Sequence, residues 1–125
     1  MKITRFVAST DGGSHFEEVE IPLDDEREGA GGYTLMASAA FSSDAICFVT
    51  LPADLDQDWH QAPARQLVFL ISGLVEVTTT DNDVRRWGSG DLFMAADITG
   101  RGHRTRVLDG PATVMFVPLS AGELI

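Results

Sequence analysis

Apolar residues along this chain fall in short runs that alternate with turns rich in Gly, Asp, Asn and Ser. The strongest run, residues 67–71, ends at Ser72-Gly73 and is apolar at both odd and even positions. A strand with two apolar faces is typical of a position covered on both sides. The pattern therefore predicts that residues 67–71 form a strand buried on both faces.

Similar runs recur at short, regular spacing, and no window shows the apolar stripe of an amphipathic helix. Residues 81–83, 89–91 and 109–111 are predicted turns, and residues 24–32 a polar, glycine-rich, mobile loop. The remaining predicted strands cover residues 2–7, 14–23, 33–38, 45–51, 74–80, 84–87, 92–95, 103–108 and 113–119. Because Pro22 lies within its run, residues 14–23 are expected at a sheet edge. The whole pattern predicts an all-β sandwich or barrel.

Composition narrows the possible partners. A chain of 125 residues with 44% hydrophobic residues is long enough for one domain with its own core. The balance of 9 basic and 19 acidic residues gives a net charge of −10, which repels nucleic acid and anionic membranes. The single Cys47 excludes an intrachain disulfide and is expected to be a small buried hydrophobe. With no apolar stretch of membrane-span length, we expect a cytoplasmic protein.

Two spaced groups of residues carry a family resemblance. His60, Ala62, Gln66 and Gly73 keep the spacing of the motif G-x5-H-x-H-x3,4-E-x6-G. Farther along, Gly90-Asp91 opens and Gly102-His103 closes a second motif, G-x5-P-x-G-x2-H-x3-N, with a slightly longer loop between them. Residues 48–119 thus resemble the two motifs of the cupin superfamily, and the wording is similar to small single-domain bacterial cupin-like proteins of unassigned function.

The resemblance implies an architecture. It is a cupin-like double-stranded β-helix, a jelly-roll barrel, in a single domain covering residues 1–125. The barrel core would span about residues 33–119, with strands in residues 1–23 packing on that barrel or on a partner. The resemblance also implies a homodimer.

The departures from the motifs affect the metal site that the resemblance implies. Metal-dependent cupins use two His and a Glu of the first motif and one His of the second. Here Ala62 replaces the second His and Gln66 replaces the Glu, which leaves His60, Gln66 and His103. These three would bind a divalent ion (Zn, Ni, Mn or Fe) weakly, because none of them carries a negative charge.

Residues near these positions complete the expected pocket. Strand alternation directs Arg65, Arg104 and Arg106 away from the lumen. His15 either completes a three-His set at a barrel mouth or faces water from a turn, and Asp97 is either a polar group at the rim or a solvated turn residue. The predicted pocket is lined by Trp59, Ala62, Val68, Leu70, Thr105 and Val107.

Three functions remain open from the sequence. The first is binding of a small molecule in the lumen beside a degenerate metal site, without an assigned activity. The second is a metal-dependent enzyme, an oxygenase or sugar-type isomerase that uses His60, Gln66 and His103. The third is a non-catalytic structural or regulatory subunit. The chain has no phosphate-binding glycine loop, CxxC pair or G-x-S-x-G motif that would point to other chemistry.

Overall fold

The computed structural model describes residues 1–120, whose regular secondary structure is β-strand apart from one short turn. A short 3-10 turn occupies Ala30–Gly32. The strands are β1 (Lys2–Ala8), β2 (Ser14–Glu20), β3 (Asp25–Glu28), β4 (Thr34–Ala37), β5 (Cys47–Leu51), β6 (Asp56–His60), β7 (Gln66–Thr78), β8 (Val84–Gly88), β9 (Leu92–Ala96) and β10 (His103–Pro118). The predicted all-β fold class is confirmed. Within residues 1–120, no helix is long and apolar enough to cross a membrane.

Two long antiparallel strands, β7 and β10, form the centre of the fold. They pair from Arg104↔Thr78 at one end to Pro118↔Gln66 at the other. The first part of β7 also pairs with β9 and its second part with β8, while β10 pairs with β6 and then with β5. Each long strand therefore contributes to both layers of a jelly roll. The N-terminal strands pack on this same chain, since β1 runs parallel to β9 and β2 pairs with β1.

Bends, not chain reversals, occur at two positions where the sequence predicted a stop or a turn. At Gly73 the backbone has φ +93, and a Cβ there would lie 2.6 Å from the Cα of Ala112. Opposite it, Asp109 and Gly110 also have positive φ, and the register between β7 and β10 shifts. The expected ends of strands at Ser72-Gly73 and residues 109–111 were wrong, because glycine here permits two backbones to approach where both strands bend.

Two further predictions, the loop at residues 24–32 and the burial of residues 67–71 on both faces, are wrong. Residues 24–32 are not one irregular loop, because β3 pairs with β4 in a separate two-stranded sheet. The central run is not buried on both faces throughout. Leu70 is fully buried and Leu67 is partly covered by the cluster of Ile3, Ile21 and Met94, but Ile71 is 43% exposed.

Arg104 and Arg106, which the sequence predicted to point away from the lumen, lie on the outer face of β10. Arg106 on β10 and Arg86 on β8 flank Glu76 of β7, each with a nitrogen 2.8 Å from its carboxylate. Burial, the largest influence, raises the pKa of Glu76, but hydrogen bonds and charges from the two arginines outweigh it and leave that pKa below its ordinary value. Arg104 also faces outward, 3.8 Å from Asp56.

Candidate functional site

Two histidines from neighbouring strands meet at one end of the barrel. His60 ends β6 and His103 begins β10, and the two residues are direct partners in the antiparallel register. Their ring centroids are 4.4 Å apart, with the ring planes inclined by 54°. Gly102 makes this approach possible, since a Cβ there would lie 1.9 Å from the carbonyl oxygen of His60.

Both histidine rings are oriented through their Nδ1 atoms. Nδ1 of His103 is 2.6 Å from Oδ2 of Asp97, and Nδ1 of His60 is 2.7 Å from the backbone carbonyl oxygen of Asp58. A backbone carbonyl oxygen only accepts hydrogen bonds, so Nδ1–H of His60 donates to Asp58, and an ionised Asp97 would accept from Nδ1–H of His103 in the same way. In residues 1–120 no hydrogen bond reaches Nε2 of either ring. An imidazole held through Nδ1–H in its neutral form has an Nε2 lone pair available to an incoming group.

Below the histidines lies a cavity of about 440 Å³. Its polar groups besides the two imidazoles include Gln57, Gln66 and Thr105, and no Lys, Arg, Asp or Glu is among the lining residues that the structure describes. The apolar lining comes from Phe6, Leu51, Ala62, Pro63, Val68, Val75, Val77, Phe93, Ala95, Val114, Phe116 and Pro118. A mostly apolar cavity with a few convergent polar groups is typical of a small-molecule site.

The structure brings together most of the sequence-predicted site residues. Gln66, Ala62, Val68 and Thr105 all line the cavity with His60 and His103. Gln66 is buried, at 7% exposure, and lines the same cavity as the two histidines.

Three predicted pocket residues lie elsewhere. Leu70 and Val107 are buried in the main hydrophobic core and do not line the cavity. Trp59 lies on the outer side, with the guanidinium of Arg101 4.9 Å from its ring centroid. It is adjacent to His60 on β6, and successive side chains of a strand point to opposite faces.

Sequence reasoning missed several lining residues. Phe6 comes from β1, which the resemblance to the two motifs does not cover, and Phe93 from β9, between the motifs. Cys47 also lines the cavity and is exposed, so the expectation of a buried cysteine was wrong. Cys47 is the first residue of β5, and β5 is the edge strand of its sheet within residues 1–120.

His15 does not join the two cavity histidines. It lies on β2, half-exposed, with Nδ1 2.6 Å from Oγ of Ser9 and Nε2 3.8 Å from a carboxylate oxygen of Glu17. It is neither the turn residue nor the third cavity histidine that the sequence left open.

Asp97 is the largest surprise of the site. The solvated turn residue expected from the sequence is wrong, because Asp97 is fully buried at 0% exposure. Its carboxylate hydrogen-bonds to His103, and its backbone oxygen accepts a hydrogen bond from the amide of Ala62 at 3.2 Å. The sequence around it reads as a loop, so no pattern of polar and apolar positions could reveal its burial.

The donor set bears on the divalent ion that the fold family implies. Two Nε2 lone pairs and the Gln66 amide are neutral ligands, and residues 1–120 contain no group of three or more His, Cys, Asp or Glu side chains that could hold a metal ion. The arrangement in which each ring donates its other N–H to an oxygen is the one that metal-ligating histidines use. The residues therefore fit a divalent ion held weakly, with coordination positions left for other ligands.

Comparisons with known proteins agree with this architecture. The dimethylsulfoniopropionate lyase DddQ of Ruegeria pomeroyi is 34% identical over 86 residues, which is 67% of this chain and 41% of that protein. The alignment with the crystal structure of that lyase covers 78% of this chain and 46% of the lyase chain, at 30% identity and a TM-score of 0.52. A cupin protein from Bacteroides fragilis covers 87% of both chains at 17% identity and a TM-score of 0.50, which supports the fold. No protein-family model matches the chain. The chain thus spans 41% of the curated relative it matches.

Proposed function

This chain belongs to the cupin superfamily, and from that premise we propose that it binds a small organic molecule in the cavity beside His60 and His103. The observation that carries the proposal is the pair of imidazoles whose Nδ1 atoms are both engaged, above an otherwise mostly apolar cavity. A volume of about 440 Å³ lies within the range of small-molecule sites. The ligand would place a hydrogen-bond donor or a metal-binding group at the two Nε2 atoms and an apolar body below them.

A weakly bound divalent ion (Zn, Ni, Mn or Fe) is part of this proposal. His60, Gln66 and His103 would hold it, and it would act as a Lewis acid on an oxygen of the ligand. The absence of an anionic ligand limits its affinity, because thiolate and carboxylate ligands contribute charge that imidazole and amide groups lack. Protonation of the imidazoles competes with the ion, so binding should weaken in acid.

Calorimetric titration with Ni²⁺ tests the site. Gln66→Glu restores a negative charge beside the imidazoles and should tighten binding by about tenfold or more, because one charge interaction of about 1.4 kcal/mol already gives that factor. His60→Ala should abolish binding. His15→Ala removes a histidine outside the cavity and should leave the affinity unchanged. Equal Ni²⁺ affinity in Gln66→Glu and wild type would exclude a metal site in the cavity and leave the ligand-binding proposal to be tested with organic molecules.

A second candidate function is cleavage of dimethylsulfoniopropionate. The observation behind it is the similarity to the Ruegeria pomeroyi protein, which is named as a lyase of that compound. The rings of Phe6, Phe93 and Phe116 line the cavity and could face the sulfonium group, since a cation is attracted to an aromatic face. None of the described lining residues is an Arg or Lys that could pair with the carboxylate of dimethylsulfoniopropionate. The two histidines or a bound ion would therefore have to bind that carboxylate.

The lyase candidate can be checked by incubating the protein with dimethylsulfoniopropionate and following its loss by proton NMR, with and without added divalent ion. Loss that is saturable and abolished by His103→Ala would support it. If the compound stays intact under all of these conditions, the small-molecule-binding proposal stands without this activity. A non-catalytic subunit would neither consume the compound nor bind organic molecules in the cavity.

The assembly is also a proposal. The sheet of β3 and β4 exposes Leu35 and Met36 to 53% and 54%, Tyr33 just before β4 is 73% exposed, and β5 exposes Phe48 to 65%. A separate two-stranded sheet is marginal in water and gains stability by packing on something else. We therefore infer a homodimer that covers these side chains.

We also propose a cytoplasmic location for this protein, which cell fractionation would test.

A further inference from the structure

The buried carboxylate of Asp97 is the least expected group in the molecule. It lies between β9 and β10, fully buried, with Oδ2 2.6 Å from Nδ1 of His103. Its other oxygen, Oδ1, is buried and has no hydrogen-bond partner among the atoms that the structure describes. Burying a carboxylate, and leaving one of its oxygens unsatisfied, costs folding free energy, so such a group calls for a functional explanation.

The loop that carries Asp97 is held from two sides. Oγ of Ser14 donates to the carbonyl oxygen of Gly102 at 2.6 Å, and the amide of Arg101 donates to the carbonyl oxygen of Gly12 at 2.9 Å. On the other side, Gly102 contacts the backbone of His60. The backbone of His103 is therefore fixed by its neighbours. What remains for Asp97 to determine is how the imidazole is turned and which of its nitrogens carries the proton.

We propose that Asp97 is a positioning residue that fixes the Nδ1–H form of His103 and so presents an Nε2 lone pair to the cavity. The inference rests on the proposed function, because a lone pair at this atom matters only if the cavity receives a ligand or an ion. An ionised carboxylate only accepts hydrogen bonds, which places the proton on Nδ1. A carboxylate in the same relation to a histidine sets the tautomer in Ser-His-Asp triads, where Asn in its place yields the wrong one.

The two histidines are held through the same ring atom but by different kinds of oxygen. His60 obtains its orientation from the backbone carbonyl of Asp58, which no side-chain substitution removes. His103 has only a side chain to orient it, so its orientation can be changed by one substitution. Asp97→Asn keeps the size of the side chain but offers an amide that can donate to Nδ1, which would move the imidazole proton to Nε2.

Nitrogen-15 NMR of the imidazole rings, without metal or ligand, tests this directly. In wild type at a pH of about 8, well above the ordinary histidine pKa, His103 should show a protonated Nδ1 and an unprotonated Nε2, and in Asp97→Asn the reverse. Asp109→Asn is the matched control, because it removes the same charge from an exposed residue at positive φ, where Asn is tolerated. It should leave the His103 pattern unchanged. A wild-type ring protonated at Nε2 would overturn the proposal whether or not Asp97→Asn folds.

A Ni²⁺ titration of the same proteins adds a second readout. Loss of an orienting partner beside a metal-ligating histidine lowers affinity by about 10- to 100-fold, so Asp97→Asn should bind that much more weakly than Asp109→Asn. Unchanged affinity in a folded Asp97→Asn protein would also overturn the positioning role. The two proposals fail separately: wild type that binds no Ni²⁺ but shows the expected tautomer leaves Asp97 as the orienting residue and removes only the metal part of the proposed function.

Discussion

The approach of Gly102 to the backbone of His60 makes the strongest quantitative prediction about the site. A Cβ at residue 102 would lie 1.9 Å from the carbonyl oxygen of His60 and 2.7 Å from the amide nitrogen of Gln61. Both contacts are to backbone atoms, so no side-chain rotation can relieve them. In Gly102→Ala, β6 and β10 must therefore move apart at the residues that carry the two imidazoles.

Gly90→Ala separates this crowding from the cost of the backbone angle. Gly90 has φ +88, and a Cβ there would meet nothing within 4 Å, whereas Gly102 has φ +80 with the close contacts. A non-glycine residue in the left-handed region costs about 1–2 kcal/mol, which both variants share. Crowding in a packed region adds about 1–3 kcal/mol, which falls on Gly102→Ala alone. We expect Gly102→Ala to be less stable than Gly90→Ala by about 2 kcal/mol.

Urea and thermal unfolding measure this difference. At about 4 °C per kcal/mol for a domain of this size, the Tm of Gly102→Ala should lie roughly 8 °C below that of Gly90→Ala. Nickel binding should be lost or weakened in the first variant and retained in the second, because only the first displaces the two imidazoles. Equal stability of the two variants would refute the reasoning, since it would mean that β6 and β10 do not approach as closely at this point.

The remaining predictions concern the outer surface and the thiol. Glu76→Gln should lower stability at neutral pH by about 1 kcal/mol, a charge-assisted contribution reduced by the exposure of its two arginine partners. Because the pKa of Glu76 is lowered in the folded state, its contribution is present above the ordinary value of 4.5 and is lost as the pH falls through the folded-state pKa, so urea titrations of wild type and Glu76→Gln should converge in acid. Cys47 is exposed and should react with a thiol reagent in the native protein, and protection equal to that of a buried thiol would contradict its placement. Light scattering should return a dimer for wild type and more monomer for Leu35→Lys, which places a charge on the exposed apolar sheet; a wild-type monomer at micromolar concentration would contradict the assembly.

The fold was predictable from the sequence because strand alternation and turn residues act locally. Runs such as residues 84–87 and 92–95 were placed within one residue of the observed β8 and β9. The bends at Gly73 and at residues 109–110 were not predictable. The sequence does not distinguish a glycine that ends a strand from a glycine that allows two strands to pack closely. The difference depends on the backbone of the partner strand, which here is that of Ala112.

Some of the residues at the site were likewise predictable from the sequence and others were not. His60, Gln66 and His103 were found through the spacing of two motifs, and the cavity brings all three together. Trp59 was misplaced because residues 56–60 were not predicted to form a strand, so the alternation that places Trp59 and His60 on opposite faces of β6 was not applied there. Phe6 could not be inferred from the motifs, since it reaches the cavity through the parallel pairing of β1 with β9.

Two oxygen atoms orient the histidines that the motifs retain. Replacement of the Glu and of one His removes charge and a ligand, yet the two histidines that remain are both held through Nδ1 by oxygen atoms. A barrel that was merely filled would gain nothing from the buried carboxylate of Asp97, because its desolvation opposes folding. The cost is understandable if His103 must offer an acceptor at a defined point in the cavity. The geometry thus favours a binding site, metal-assisted or not, over a non-catalytic subunit whose cavity has no ligand.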